Sequence, residues 1–262
     1  MSMPDLPQRL RRPGPFAFSL YAVSAGMLVW SFQGVGVSLE RIMDGVPNIA
    51  RILGRMFPPD PDRLGPIALA LVETFQMAIA GTAIGIVLSL PLAILATPSL
   101  SPHPVVLHAT RSLISLFRTV PDLVWALLFV IAVGLGPLAG TLAIMLDTIG
   151  FCGRFFAEAM EDTDKGPREA LTALGARRLG IVFSAVVPQA LPSFINSALF
   201  SLEKATRASV ILGLVGAGGI GIELKVSMDL FLYQQASTII IAIFILVLVV
   251  EQASAWLRQR VQ

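Results

Sequence analysis

From Thr74 to Thr110 the chain carries no Asp, Glu, Lys or Arg. Four further stretches share this property: Pro13–Leu39, Leu123–Leu146, Leu179–Leu202 and Leu230–Val250. A helix needs ~20 apolar residues to cross the hydrocarbon core of a bilayer, and each stretch is long enough. Only 14% of the 262 residues are charged and the mean hydropathy is +0.78, whereas soluble domains carry about 25% charged residues. Too few charges remain to cover a water-facing surface, so the expected solvent is lipid and the expected fold class is an all-α membrane protein.

Punctuation within the runs predicts six spans. They are Phe16–Phe32, Ile67–Ala96, Leu123–Val133, Leu138–Phe156, Pro188–Leu212 and Phe231–Trp256. Arg9, Arg11 and Arg12 precede the first, as they would a signal peptide, but no small-x-small cleavage site ends it, so a retained anchor is expected. The helical spacing of Ile42, Val46, Ile49, Ile52 and Leu53 predicts an interfacial amphipathic helix, which "PPDPD" breaks. The chain divides into 1–65, an arm with the anchor and this amphipathic loop, and 66–262, a core of five spans. Six spans place both termini on one face. That face holds 12 of the 19 Lys and Arg residues against 7 on the other, so positive-inside reasoning puts the termini and the 154–185 segment in the cytoplasm.

That segment contains "KGPREALTALGARRLGIVFSAVVP", Lys165–Pro188. It predicts a short helix over about 166–176, with Gly166 at the cap, Pro167 at the first position, Glu169 complementing the N-terminus and Gly175 as the left-handed stop. Ala170, Ala173 and Leu174 share one face. Two turns are not stable alone in water, so the helix must pack against something.

Glu169, Ala170, Gly175 and Pro188 fall on the positions of the EAA motif of ABC importer permeases, which this segment resembles. Leu171, Ala185 and Val187 are apolar departures that leave the spacing intact. "FRTVPDLVWALLFVIAVGLGPLAG", "GRFFAEAMED" and "ILGLVGAGGIGIELKVSMDLFLYQQASTII" are similar to the phosphonate branch of that superfamily, and the resemblance runs over about Pro66–Leu257. It implies a type I importer permease in the inner membrane, moving phosphonates or related phosphorus oxyanions by alternating access. It implies a homodimer, two ABC ATPase subunits that hold the ATP and Mg, and an extracytoplasmic phosphonate-binding protein. The coupling residues would be Glu169, Ala170, Leu171, Ala173, Leu174, Gly175 and Pro188. The sequence lacks G-x-x-x-x-G-K-[ST] and cannot cradle ATP phosphates by that motif.

Charged residues inside spans are by default functional candidates. Glu73, Asp147, Glu203, Lys204 and Arg207 form a candidate substrate path, with Glu73–Arg207 and Asp147–Lys204 as candidate pairs; helix glue is the competing role. His103 and His108 are five apart, wrong for a one-face metal pair, and are read as interfacial. Cys152 is read as a small core residue, and the net charge of +2 gives no reason to expect nucleic acid. Gly216–Gly221 is a literal G-x-G-x-x-G, but no acid stands ~20 residues beyond it, as a dinucleotide site requires. Gly213, Gly216, Gly218, Gly219 and Gly221 instead close a span at its outer mouth. The rival functions are a permease for another solute such as an amino acid, a self-sufficient secondary transporter, whose inverted repeats are not seen, and a membrane oxidoreductase resting on the glycines alone.

Overall fold

The computed structural model describes residues 14–36 and 38–261, and their regular structure is helical throughout. In order these are α1 (Pro15–Val35), α2 (Leu39–Met56), α3 (Leu64–Ala96), α4 (Pro104–Thr119), α5 (Asp122–Val133), α6 (Pro137–Glu161), α7 (Lys165–Ala173), α8 (Arg178–Ile181), a π-helical turn (Val182–Val186), α9 (Val187–Gly213), α10 (Ile220–Asp229) and α11 (Tyr233–Val261). The chain divides into two compact units, with the boundary in sequence between Gly54 and Arg55. Arg9, Arg11 and Arg12 lie outside the described residues.

In the first unit, α1 starts on Pro15, where the missing N–H costs nothing, and stops on left-handed Gly36. The charges of α2 lie opposite its apolar stripe, as an interfacial helix requires.

The second unit is organised around α3, α6 and α9. Gly81 and Gly85, four apart on α3, open a groove for α6. A Cβ on Gly81 would stand 2.7 Å from Ile144, and one on Gly85 2.5 Å from Thr148. Such small-xxx-small spacing lets membrane helices approach where lipid gives no hydrophobic drive. Two apolar clusters fill the interior. One, about Phe156, Met160, Val186 and Phe194, includes an aromatic contact of 4.4 Å between the rings of Phe156 and Phe194. The other, about Met77, Ile144, Leu212 and Ala217, lies toward the opposite end.

Among the described residues five helices are long and apolar enough to cross a membrane, and α4 with α5, bent by 89°, form either a broken sixth crossing or a re-entrant pair. The span expected at Leu123–Val133 does not cross by itself: α5 has twelve residues, ~18 Å at 1.5 Å each, short of the ~20 residues a crossing needs. Pro121 enforces the break, because it disfavours helix at the residue before it. His103, read as interfacial, also caps α4, with its Nδ1 accepting from the Val105 amide.

The span expected from Pro188 begins earlier, so that Arg178–Gly213 forms one long crossing. Pro188 has no N–H and its ring crowds the carbonyl a turn back. The chain answers by widening, and Val187 N donates to Val182 O, five residues away.

Candidate functional site

Three polar constellations lie along the second unit. At one end, the glycine segment links α9 to α10. Gly216, Gly218 and Gly219 have φ of 88°, 92° and 76°, the left-handed region where a Cβ clashes with backbone. Gly213 and Gly221 serve differently. They sit against each other, and a Cβ on Gly213 would lie 2.7 Å from Gly221 Cα. The loop is pinned from α3: Glu73 Oε1 accepts from the Gly219 amide at 2.8 Å, and Thr74 Oγ1 from the Ile220 amide at 2.7 Å. Together they satisfy two of the orphan donors at the start of α10. The turn between α5 and α6 joins the same end, with Gly136 N donating to Gly216 O. A helix does start on the glycines after all, since α10 follows them, but it is preceded by helix α9 and not by a strand.

Midway along the crossing helices lie ion pairs. Lys204 Nζ on α9 reaches both carboxylate oxygens of Asp147 on α6, at 2.6 and 2.8 Å, and Ser201 Oγ meets Thr148 Oγ1 beside it. One of the two expected pairs is thus present. The other is not: Glu73 is held by the glycine loop, and Arg207, exposed on α9, has no ion pair among the described residues. Glu203 instead binds Arg258 of α11. Charge counting along the sequence puts Arg258 in the cytoplasmic tail; α11 continues to Val261, so its guanidinium belongs to the helix bundle. Cys152 is buried, as expected of a small core residue.

At the far end of α6 stands the short helix α7. Its cap is Asp164, whose carboxylate accepts from Gly166 N at 3.0 Å. Gly166 and Pro167 therefore lie inside the first turn, as its second and third residues, two positions later than the sequence suggested. Gly175 has φ 77° and stops the helix as anticipated. Glu169, Ala170 and Ala173 are exposed and Leu174 is 84% exposed, while Leu171 is half-buried. Pro188 is exposed at the base of α9. An unsupported apolar knob on a two-turn helix is a projecting surface.

The sequence reading missed Thr74, Arg258 and the Arg63–Glu223 bridge at 3.2 Å. A signal for Thr74 was available, since it follows the one acid at the head of the second span. Nothing local announces the other two.

Residues 85–262 match the family described as "binding-protein-dependent transport system inner membrane component". The chain belongs to that family. This permease is 41% identical over 239 residues to the phosphite transport system permease protein PtxC of Stutzerimonas stutzeri, covering 91% of this chain and 87% of that one. It is 38% identical to the phosphate-import permease protein PhnE of Mycolicibacterium smegmatis over 93% of its own length and 46% of the relative's. The putative phosphite transport system permease protein HtxC of Stutzerimonas stutzeri is 34% identical, over 95% of this chain and 87% of that one. Among solved structures, an inward-facing conformation of the MetNI methionine ABC transporter matches with a TM-score of 0.65 at 24% identity, over 75% of this chain and 96% of that one. The fold is that of a type I ABC importer permease. The family is one of transport components, and the glycine segment follows a helix where a dinucleotide fingerprint would need a strand.

Proposed function

We propose that this permease imports a small phosphorus oxyanion, phosphite or a phosphonate, across the bacterial inner membrane. The observation that carries the reading is the near full-length similarity to a phosphite permease. An extracytoplasmic binding protein delivers the anion at the glycine end, where Glu73 and Thr74 hold the loop. Two copies of the chain enclose the path, and two separate ATPase subunits hold the ATP and Mg. They dock on α7 through Glu169, Ala170, Leu171, Ala173 and Leu174, with Gly175 and Pro188 setting its attachment to α9. The termini and α7 lie on the cytoplasmic side, where the larger share of Lys and Arg falls.

Of the five charged residues first considered for the path, four are engaged within the fold. Asp147 with Lys204, Glu203 with Arg258, and Glu73 with the loop act as structural fastenings. Arg207 is left as the cation for the passing anion. The test is reconstitution with the ATPase and binding protein in proteoliposomes, with uptake of phosphite, methylphosphonate, phosphate and methionine compared. Uptake of at least one phosphorus anion and none of methionine is expected, and Arg207→Gln should raise KM several-fold while the complex still assembles. Methionine uptake alone would overturn the substrate class; unchanged kinetics in Arg207→Gln would remove Arg207 from the path.

A further inference from the structure

A polar cleft lies between α4 and α6, on the same side as α7 and away from the Lys204 and Arg207 level of α9. It encloses about 250 Å³ and is lined in part by Arg111, Ser115, Arg118, Arg154, Glu158 and Glu161. Close packing creates it: Gly150 and Gly153 of α6 let α4 approach, with a Cβ on Gly150 standing 2.9 Å from Arg118 Cγ and one on Gly153 3.3 Å from Ile114.

Its charges do not cancel. Arg111 is bound to Glu161 and to the Ala96 carbonyl, and Arg154 Nε is bound to Glu158 at 2.7 Å. Each guanidinium has five N–H donors in a planar fork, so both keep donors free for a further acceptor. Arg118 has no hydrogen bond or ion pair among the described residues. It is also the deepest of the three. Gly150 lies eleven residues before Glu161 on α6, ~16 Å at 1.5 Å per residue, so Arg118, exposed on α4, sits at the inner end of the cleft, farthest along α6 from Glu161. A guanidinium without a partner between membrane helices ordinarily finds a counter-charge. Three arginines against two carboxylates leave one positive charge, in a space that accepts a tetrahedral anion. Guanidinium forks match phosphate oxygens two at a time, and basic clefts between membrane helices on the cytoplasmic side hold lipid phosphates.

We propose that this cleft is a binding site for a phosphate-bearing anion, clamped by Arg118 with Arg111 and Arg154, and separate from the transport path. Its location at the cytoplasmic leaflet rests on the sidedness given above. The anion has two sources, a lipid headgroup or free phosphate on the inner side, and the experiment separates them. The permease is purified with its ATPase subunits. One arm places it in nanodiscs of neutral phosphatidylcholine and titrates inorganic phosphate by equilibrium dialysis. The other isolates it from membranes containing phosphatidylglycerol and cardiolipin and counts retained lipids by native mass spectrometry.

Binding in at least one arm is expected, weakened tenfold or more by Arg118→Gln, largely restored by Arg118→Lys and unaffected by Arg207→Gln. Matching melting temperatures show that each variant is folded. Binding confined to the first arm assigns the site to free phosphate, and binding confined to the second assigns it to lipid. Absence of binding in both arms, or equal binding by Arg118→Gln, overturns the proposal. Phosphite uptake by a complex whose cleft binds nothing would overturn this inference alone. Cleft binding by a complex that takes up no phosphorus anion would overturn the transport reading alone.

Discussion

Asp147 and Lys204 face each other from α6 and α9 with side chains 19% and 39% exposed, so neither is solvated well enough to stand alone. Removing one partner of such a pair leaves the other charge without compensation, at several kcal/mol in a protein interior and less in a membrane, where alternative partners exist. Asp147→Asn should therefore lower stability by about 1–3 kcal/mol. The double change Asp147→Asn with Lys204→Met should recover most of the loss. Melting of the purified permease in detergent checks both, and a double variant no better than the single would show that the pair is not the source. This partnership could be proposed from the sequence because two opposite charges stood within two apolar runs. Glu73 could not be placed in the same way. Its partner is the backbone amide of Gly219, which no matching of charges reveals until the loop has a conformation.

Helix α7 joins the membrane core through an uneven hinge. It is capped by Asp164, stopped by Gly175, and followed by the single turn of α8 and the wide π-helical stretch that leads into α9. The docking role assigned to it predicts that Glu169→Lys leaves insertion and dimer assembly intact but lowers ATPase stimulation by binding protein at least tenfold. Vesicle assays of ATP hydrolysis with and without substrate measure this, and full stimulation in the variant would refute the docking surface. The apolar runs, their order and the Gly175 stop could all be read from the sequence, because solvent preference and left-handed backbone are local matters. The bend between α4 and α5, helix α10 and the π-helical turn could not. Each depends on what a proline or glycine does once neighbouring helices are packed, and the Gly81–Gly85 groove likewise means nothing without α6.

At the scale of the molecule, the distribution of cations makes the sidedness testable. Cys152 is buried and free, so single cysteines can be introduced with little labelling background. Leu174→Cys on α7 and Lys225→Cys on α10 mark opposite ends of the bundle. A membrane-impermeant maleimide should label Lys225→Cys in spheroplasts, and Leu174→Cys only after permeabilisation; the reverse pattern would invert the topology. The membrane class of the chain was legible from its solvent needs alone, whereas Arg258, one of the cations counted for orientation, serves Glu203 inside the bundle. The mid-membrane pair has an electrical consequence as well. A lone charge displaced through the whole membrane field does work of about 2.3 kcal/mol per 100 mV. Because Lys204 grips both oxygens of Asp147, this pair moves no net charge when α6 and α9 travel together, and it adds no voltage dependence to their stroke.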